Sequence, residues 1–197
     1  MALWLLAHGE RELHAPLAFI GGESAGANLA VVVVARLLKS EQYRPAASSC
    51  LRGLLLHYGT FDMRLPPGTR LHRRQPTIVL DEEMMRHFRA AYCPGMQDDE
   101  LEDPDVSPFF ADLATLGMPP ALFTVGTEDC LLEDSVFMSS RWMLAGSRAV
   151  LKVYAGSPHG YIVFDPAWHE NAQRALSDVK IFVDSLYESS PNSDGQR

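Results

Sequence analysis

The chain has 197 residues, 47% hydrophobic and 21% charged, enough apolar material to bury a substantial core within one domain. Its formal net charge of −8 argues against a nucleic-acid or anionic-membrane surface and favours a small neutral substrate. Three cysteines (Cys50, Cys93 and Cys130) are an odd number without metal-ligand spacing, which suits a reducing compartment and packing roles rather than disulfides.

Residues 1–7 are apolar but lack the basic start and long hydrophobic region of a signal peptide, and they run straight into His8-Gly9-Glu10-Arg11-Glu12. A helix is expected over 1–13. No stretch reaches the roughly 18 apolar residues of a membrane span, so the expected setting is the cytoplasm.

A strand is expected over 17–22, where Leu17-Ala18-Phe19-Ile20 forms a continuous apolar run suited to burial on both faces. It leads into Gly22-Glu23-Ser24-Ala25-Gly26, a Gly-x-Ser-x-Gly followed by a helix rich in Ala, Val and Leu over 25–39. Such a pattern between strand and helix presents a serine on a tight turn, with Gly22 and Gly26 leaving room for the chain to reverse. The plainer role for Ser24 is as the cap of the helix that follows.

A second strand is expected over 51–58. Residues 62–118 then form a lid-like insertion rich in Pro, Gly and charge, with one clear helix that Asp81 can cap. Met84, Met85, Phe88 and Tyr92 fall at helical spacing along it, either packing on the domain or lining an acyl pocket. The basic cluster from Arg70 to Arg74 is too short to change the electrostatic picture. The acids at Asp98, Asp99, Glu100, Glu102, Asp103 and Asp105 read as a solvated loop, since no glycine marks the sharp turn of a calcium loop. Strands at 121–126 and 149–154, with helices at 131–145 and 168–187, complete alternating βα units and a mainly parallel sheet of about four strands. Residues 189–197 read as a disordered tail.

An activated serine needs a histidine oriented by a carboxylate, and in open α/β sheets such groups lie on loops beyond the carboxyl ends of strands. The third strand runs into Thr127-Glu128-Asp129, either acid being possible, with Asp134 a turn into the next helix. Of seven histidines, only His159 sits in a loop directly after a strand. Ser24, the acid and His159 should therefore emerge on one rim.

With these residues in view, the chain resembles a known family. GGESAG (21–26) with Asn28-Leu29-Ala30, GTEDCLLEDS (126–135) and PHGY (158–161) are similar to the hormone-sensitive-lipase-like, or fold-3, branch of the α/β-hydrolases, over about residues 1–188. The separations 129 − 24 = 105 and 159 − 129 = 30 are similar too. The resemblance implies Ser24 as nucleophile, His159 as base and Asp129, rather than Glu128, as the acid. It also implies an esterase or lipase acting on small ester substrates through an acyl-enzyme, without metal or organic cofactor. Tyr161 joins Met84, Met85 and Phe88 as candidate lining of the substrate pocket. Cys130 stands where the family often has proline.

In this family the oxyanion hole combines the N–H after the serine, here that of Ala25, with an upstream His-Gly-Gly-Gly loop. No such loop occurs in the sequence; His8-Gly9 lies in a helix-like segment. The chain is thus expected to correspond to the carboxyl-terminal portion of the fold, lacking the earlier strands and the amino-terminal part of the lid. The apolar edge of the 17–22 strand is expected to be exposed and prone to self-association. The alternative reading is a catalytically silent, truncated or ligand-binding member of the fold; one receptor branch of the family has lost the histidine that is present here as His159.

Overall fold

A computed structural model describes residues 1–71 and 79–188. His72, Arg73 and Arg74 of the basic cluster, and the tail 189–197, lie outside the described residues. In chain order the elements are α1 (Ala2–Leu13), β1 (Phe19–Glu23), α2 (Ala25–Lys39), α3 (Arg44–Cys50), β2 (Gly53–His57), α4 (Pro67–Arg70), α5 (Glu82–Tyr92), α6 (Leu113–Leu116), β3 (Ala121–Gly126), α7 (Leu132–Leu144), β4 (Ala149–Tyr154) and α8 (Glu170–Glu188). Single 3-10 turns lie at Glu100–Glu102, Pro108–Phe110 and Tyr161–Val163.

The four strands pair in parallel in the order β1-β2-β3-β4. Alternation along β2 assigns the two faces of the sheet. Leu54 and Leu56 join a core with Val31 and Val34 of α2 and with Met138 and Trp142 of α7, while Leu55 packs towards Phe182 and Leu186 of α8. Helices thus cover both faces, which is why β3 is buried along its whole length. Trp142 fills the larger core edge-on to Phe123, and its indole N–H donates to the Pro119 carbonyl.

Every strand and long helix lies within about two residues of its expected place, as end-fraying allows. The helix α3 was not expected. It is short and buries only Ala47, so it leaves no periodic stripe, although Pro45 in its first turn is a fitting helix start. The insertion is also more structured than one helix, holding α4, α5, α6 and two of the 3-10 turns. Its acidic loop is not simply solvated: Asp98, Glu102 and Asp105 pair with Arg89, Arg64 and Arg36. At the sheet's margin β1 has one strand neighbour, and Gly21 and Glu23 are exposed there.

Candidate active site

Parallel pairing aligns the carboxyl ends of the strands, so the loops leaving β1, β3 and β4 share one rim. Ser24 follows β1 with φ of 53° and ψ of −120°, a backbone conformation L-residues rarely adopt. Three hydrogen bonds hold it there: its N–H donates to the His57 carbonyl at 2.9 Å, and its own carbonyl accepts from Ala27 at 3.0 Å and Asn28 at 3.5 Å. The turn is tight on one side only. A Cβ at Gly22 would overlap the backbone of Gly26, whereas one at Gly26 would meet nothing, so of the two glycines expected to open this turn only Gly22 is sterically required.

His159 and Asp129 reach the serine from the far half of the sheet. The Nε2 of His159 lies 3.0 Å from Ser24 Oγ and its Nδ1 lies 2.9 Å from Asp129 Oδ2. An ionised carboxylate can only accept, so Nδ1 carries the proton and Nε2 is left with a lone pair facing the serine hydroxyl. Asp129 is 2% exposed, and its other oxygen accepts from the Leu131 N–H at 2.9 Å, which locks the carboxylate plane. Glu128 is directed elsewhere: its side chain accepts from the Thr127 hydroxyl, and its N–H donates to the Ser157 carbonyl. That last bond draws the β4 loop against β3, so closely that a Cβ at Gly126 would overlap the Ser157 backbone. Ser157 is pinned in turn by His169 at 2.9 Å and Asn171 at 2.9 Å, so the start of α8 fixes the loop that carries His159.

Ala25 is the first residue of α2, so its N–H has no acceptor within the helix and stands at the positive end of the helix dipole. It is suited to meet negative charge developing beside Ser24. Cys130, next to Asp129, is buried, and that burial pushes its thiol up to about 12, which keeps it a neutral packing group. Among the described residues no cluster of His, Cys, Asp and Glu has the geometry of a metal site.

A cavity of about 550 Å³ opens beside Ser24, lined by Glu23, Ser24, Ala25, Asn28, Leu29, Thr60, Met63, Met85, Phe88, Ala91 and Tyr92. Of the expected pocket residues, Met85 and Phe88 lie on its wall. Met84 and Tyr161 do not. Adjacent helical positions point about 100° apart, so Met84 leaves the stripe formed by Met85, Phe88 and Tyr92 and is 40% exposed. Tyr161, fully buried, packs instead among Tyr58, Tyr154 and His169 behind the histidine loop.

Sequence reasoning also missed two anchors of this wall. Asn28 donates to the carbonyls of Thr60 and Val106, tying α2 to the loop after β2 and to the insertion. Asp134 is the second. Its Oδ1 accepts from the Phe61 and Asp62 N–H groups at 2.7 and 3.0 Å, which fixes the loop bearing Thr60 and Met63. Burial, opposed by those two hydrogen bonds, pushes the Asp134 carboxyl up to about 7. An acid one turn inside a helix after a strand was the available signal.

A family model described as alpha/beta hydrolase fold matches residues 1–163. An esterase from Acinetobacter venetianus is 31% identical over 167 residues, covering 85% of this chain and 52% of the relative. A solved esterase of the bacterial hormone-sensitive lipase family matches with a TM-score of 0.71 at 28% identity, over 88% of this chain and 54% of its own. The Pyrobaculum calidifontis esterase superposes with a TM-score of 0.79 at 24% identity, over 94% and 58%, a likeness of fold. The chain spans about half the length of the curated relatives it matches.

Proposed function

The chain belongs to the α/β-hydrolase fold family, in its hormone-sensitive-lipase-like branch, and from that premise we propose that it is a carboxylic ester hydrolase using Ser24, His159 and Asp129 as a triad. The observation that carries this reading is the unbroken relay Ser24 Oγ to His159 Nε2 at 3.0 Å and His159 Nδ1 to Asp129 at 2.9 Å. As Ser24 attacks the ester carbonyl, His159 takes its proton and Asp129 stabilises the imidazolium that forms. The Ala25 N–H meets the tetrahedral oxyanion. His159 then returns the proton to the leaving alkoxide, and water repeats the sequence in reverse to release the acid from the acyl-enzyme. No step calls for a metal or an organic cofactor.

The apolar cavity between α2 and α5 supports a small neutral ester with one hydrocarbon arm. No helix among the described residues is long and apolar enough to cross a membrane. A second reading is a silent member of the fold that binds a small molecule without turnover, supported by the cavity beside Ser24 and its largely apolar wall of Leu29, Met63, Met85 and Phe88. A fluorophosphonate probe decides between them. Covalent labelling of folded protein that disappears in Ser24→Ala supports the hydrolase; no labelling, or equal labelling of the variant, leaves the silent reading. The same chain is expected to self-associate through the free edge of β1, and a stable monomer on size-exclusion chromatography across a dilution series would overturn that expectation.

A further inference from the structure

The triad leaves one neighbour unused. Tyr58 follows β2 directly, and the register that sets Glu23 opposite His57 brings it beside the serine turn. Its φ of 37° is a left-handed value that a bulky residue rarely adopts, and it persists here because the Tyr58 N–H donates to the Thr124 carbonyl at 2.6 Å. The outcome of this unusual backbone is a side chain turned into the site. The ring is 1% exposed and stands edge-to-face against the His159 imidazole, with centroids 4.9 Å apart and planes at 66°. The phenol hydroxyl donates to Glu23 Oε2 at 2.7 Å, on the residue immediately before Ser24. Tyr161 backs the same ring at 5.7 Å.

We propose that Tyr58 is a positioning residue for His159, a ring wall anchored at Glu23 that holds the imidazole on the line between Asp129 and Ser24. Two hydrogen bonds to one imidazole leave it free to rock about the axis joining Nδ1 and Nε2. A rigid ring against its side removes that freedom. The hydroxyl anchor fixes the wall to the strand end that carries the nucleophile, so serine and histidine are referenced to one point rather than to two separate loops. Wall and anchor therefore act together as Ser24 gives up its proton.

The proposal rests on the ester hydrolase reading but can be tested apart from it. The low-field proton resonance of the His159 Nδ1–H, read by NMR and assigned by its loss in His159→Gln, reports the imidazole's hold on Asp129 without any turnover. In Tyr58→Leu, which removes wall and anchor, this resonance should broaden, and the fluorophosphonate labelling rate and kcat should fall about 10-fold with KM within 2-fold. Tyr58→Phe keeps the wall and should lose only about 3-fold, a rescue that a merely space-filling role would make complete. Glu23→Ala, which removes the acceptor, should match Tyr58→Phe. A sharp resonance and wild-type labelling in folded Tyr58→Leu overturn the proposal. Should Tyr58→Leu not fold, wild-type rates in both Tyr58→Phe and Glu23→Ala overturn it. A wild type that is never labelled removes the hydrolase reading alone, because the resonance still compares Tyr58 with Leu at that position.

Discussion

The rim of the sheet and the roof made by the insertion face each other across one cavity, yet they are held by different physics. On the rim, Asp129, His159 and the backbone of Ser24 are fixed by hydrogen bonds between mostly buried groups, many of them side chain to main chain. The roof is fastened at its root in the same way, by Asp134 and Asn28, but farther out it relies on exposed ion pairs and on a helix whose Phe88 and Tyr92 stay half in solvent. Buried bonds specify a geometry because leaving one unmade is expensive. Exposed pairs contribute little and specify little. On the proposed reading, chemistry and substrate preference therefore sit on parts of the molecule that differ in how much change they tolerate.

The largest effect expected from breaking the rim is that of Asp129→Asn. With the acceptor replaced, the imidazole takes the wrong tautomer, and kcat should drop about 10⁴-fold with little change in KM; steady-state kinetics with p-nitrophenyl acetate check this, and a loss under 10-fold would show that Asp129 does not orient the base. At the junction of rim and roof, Asp134 makes stability depend on pH. Its carboxyl, pushed up to about 7 mainly by burial and then by the charges of Asp62 and Glu133 against the pull of two N–H donors, binds its proton more tightly in the folded chain than in the unfolded one. Stability from this residue is present in acid and is lost as pH rises between about 4 and 7, by up to ~4 kcal/mol for three units of displacement. The Asn side chain is neutral at every pH and can still accept from Phe61 and Asp62. Asp134→Asn should therefore flatten this part of the stability profile, read as urea midpoints at pH 5 and pH 8; an unchanged slope would place the titration elsewhere.

Changes to the roof should be milder. Met85→Ala removes a buried wall and should shift the ratio of kcat/KM between butyrate and acetate esters about 10-fold, with Phe88→Ala, half exposed, giving a smaller shift in the same ratio. Neither should slow fluorophosphonate labelling by more than about 2-fold; a larger loss would mean that the roof also shapes the rim. The smallest effect is that of Arg89→Ala, which removes the pair with the exposed Asp98 and should lower stability, read as the urea midpoint, by no more than about 1 kcal/mol.

The same contrast explains what could be read from the residues alone. Ser24, His159 and the adjoining acids Glu128 and Asp129 were legible because each occupies a marked place, a turn or loop directly after an apolar strand, and parallel strands bring such places together; the choice of Asp129 came from the family resemblance. The layers were legible from the apolar runs, although in the insertion only the helix capped by Asp81 was. Legibility failed where the direction of a side chain mattered. Met84 and Met85 were both assigned to one helical stripe, yet adjacent helical positions point about 100° apart, and Tyr161 was read as lining the pocket when the left-handed Gly160 before it turns the chain back into the core. Tyr58, Asp134 and Asn28 act through hydrogen-bond partners 32 to 78 positions away, so their roles are not written in the residues beside them. The asymmetry of Gly22 and Gly26 is likewise a property of how the turn closes, not of the pattern.

The pairing of the sheet also sets an order of assembly. The outer pairs β1–β2 and β3–β4 join residues 34 and 28 positions apart (53 − 19 and 149 − 121), whereas the central pair must close 67 (121 − 54). Doubling a loop adds only about 0.6 kcal/mol of closure entropy, so the folded state is scarcely penalised. Folding speed responds more strongly, because contacts distant in sequence form late. Ser24 travels with one half-sheet, Asp129 and His159 with the other. During refolding, the return of fluorophosphonate reactivity would therefore time a single event, the meeting of β2 and β3, and would act as a clock for the slowest step in building the molecule.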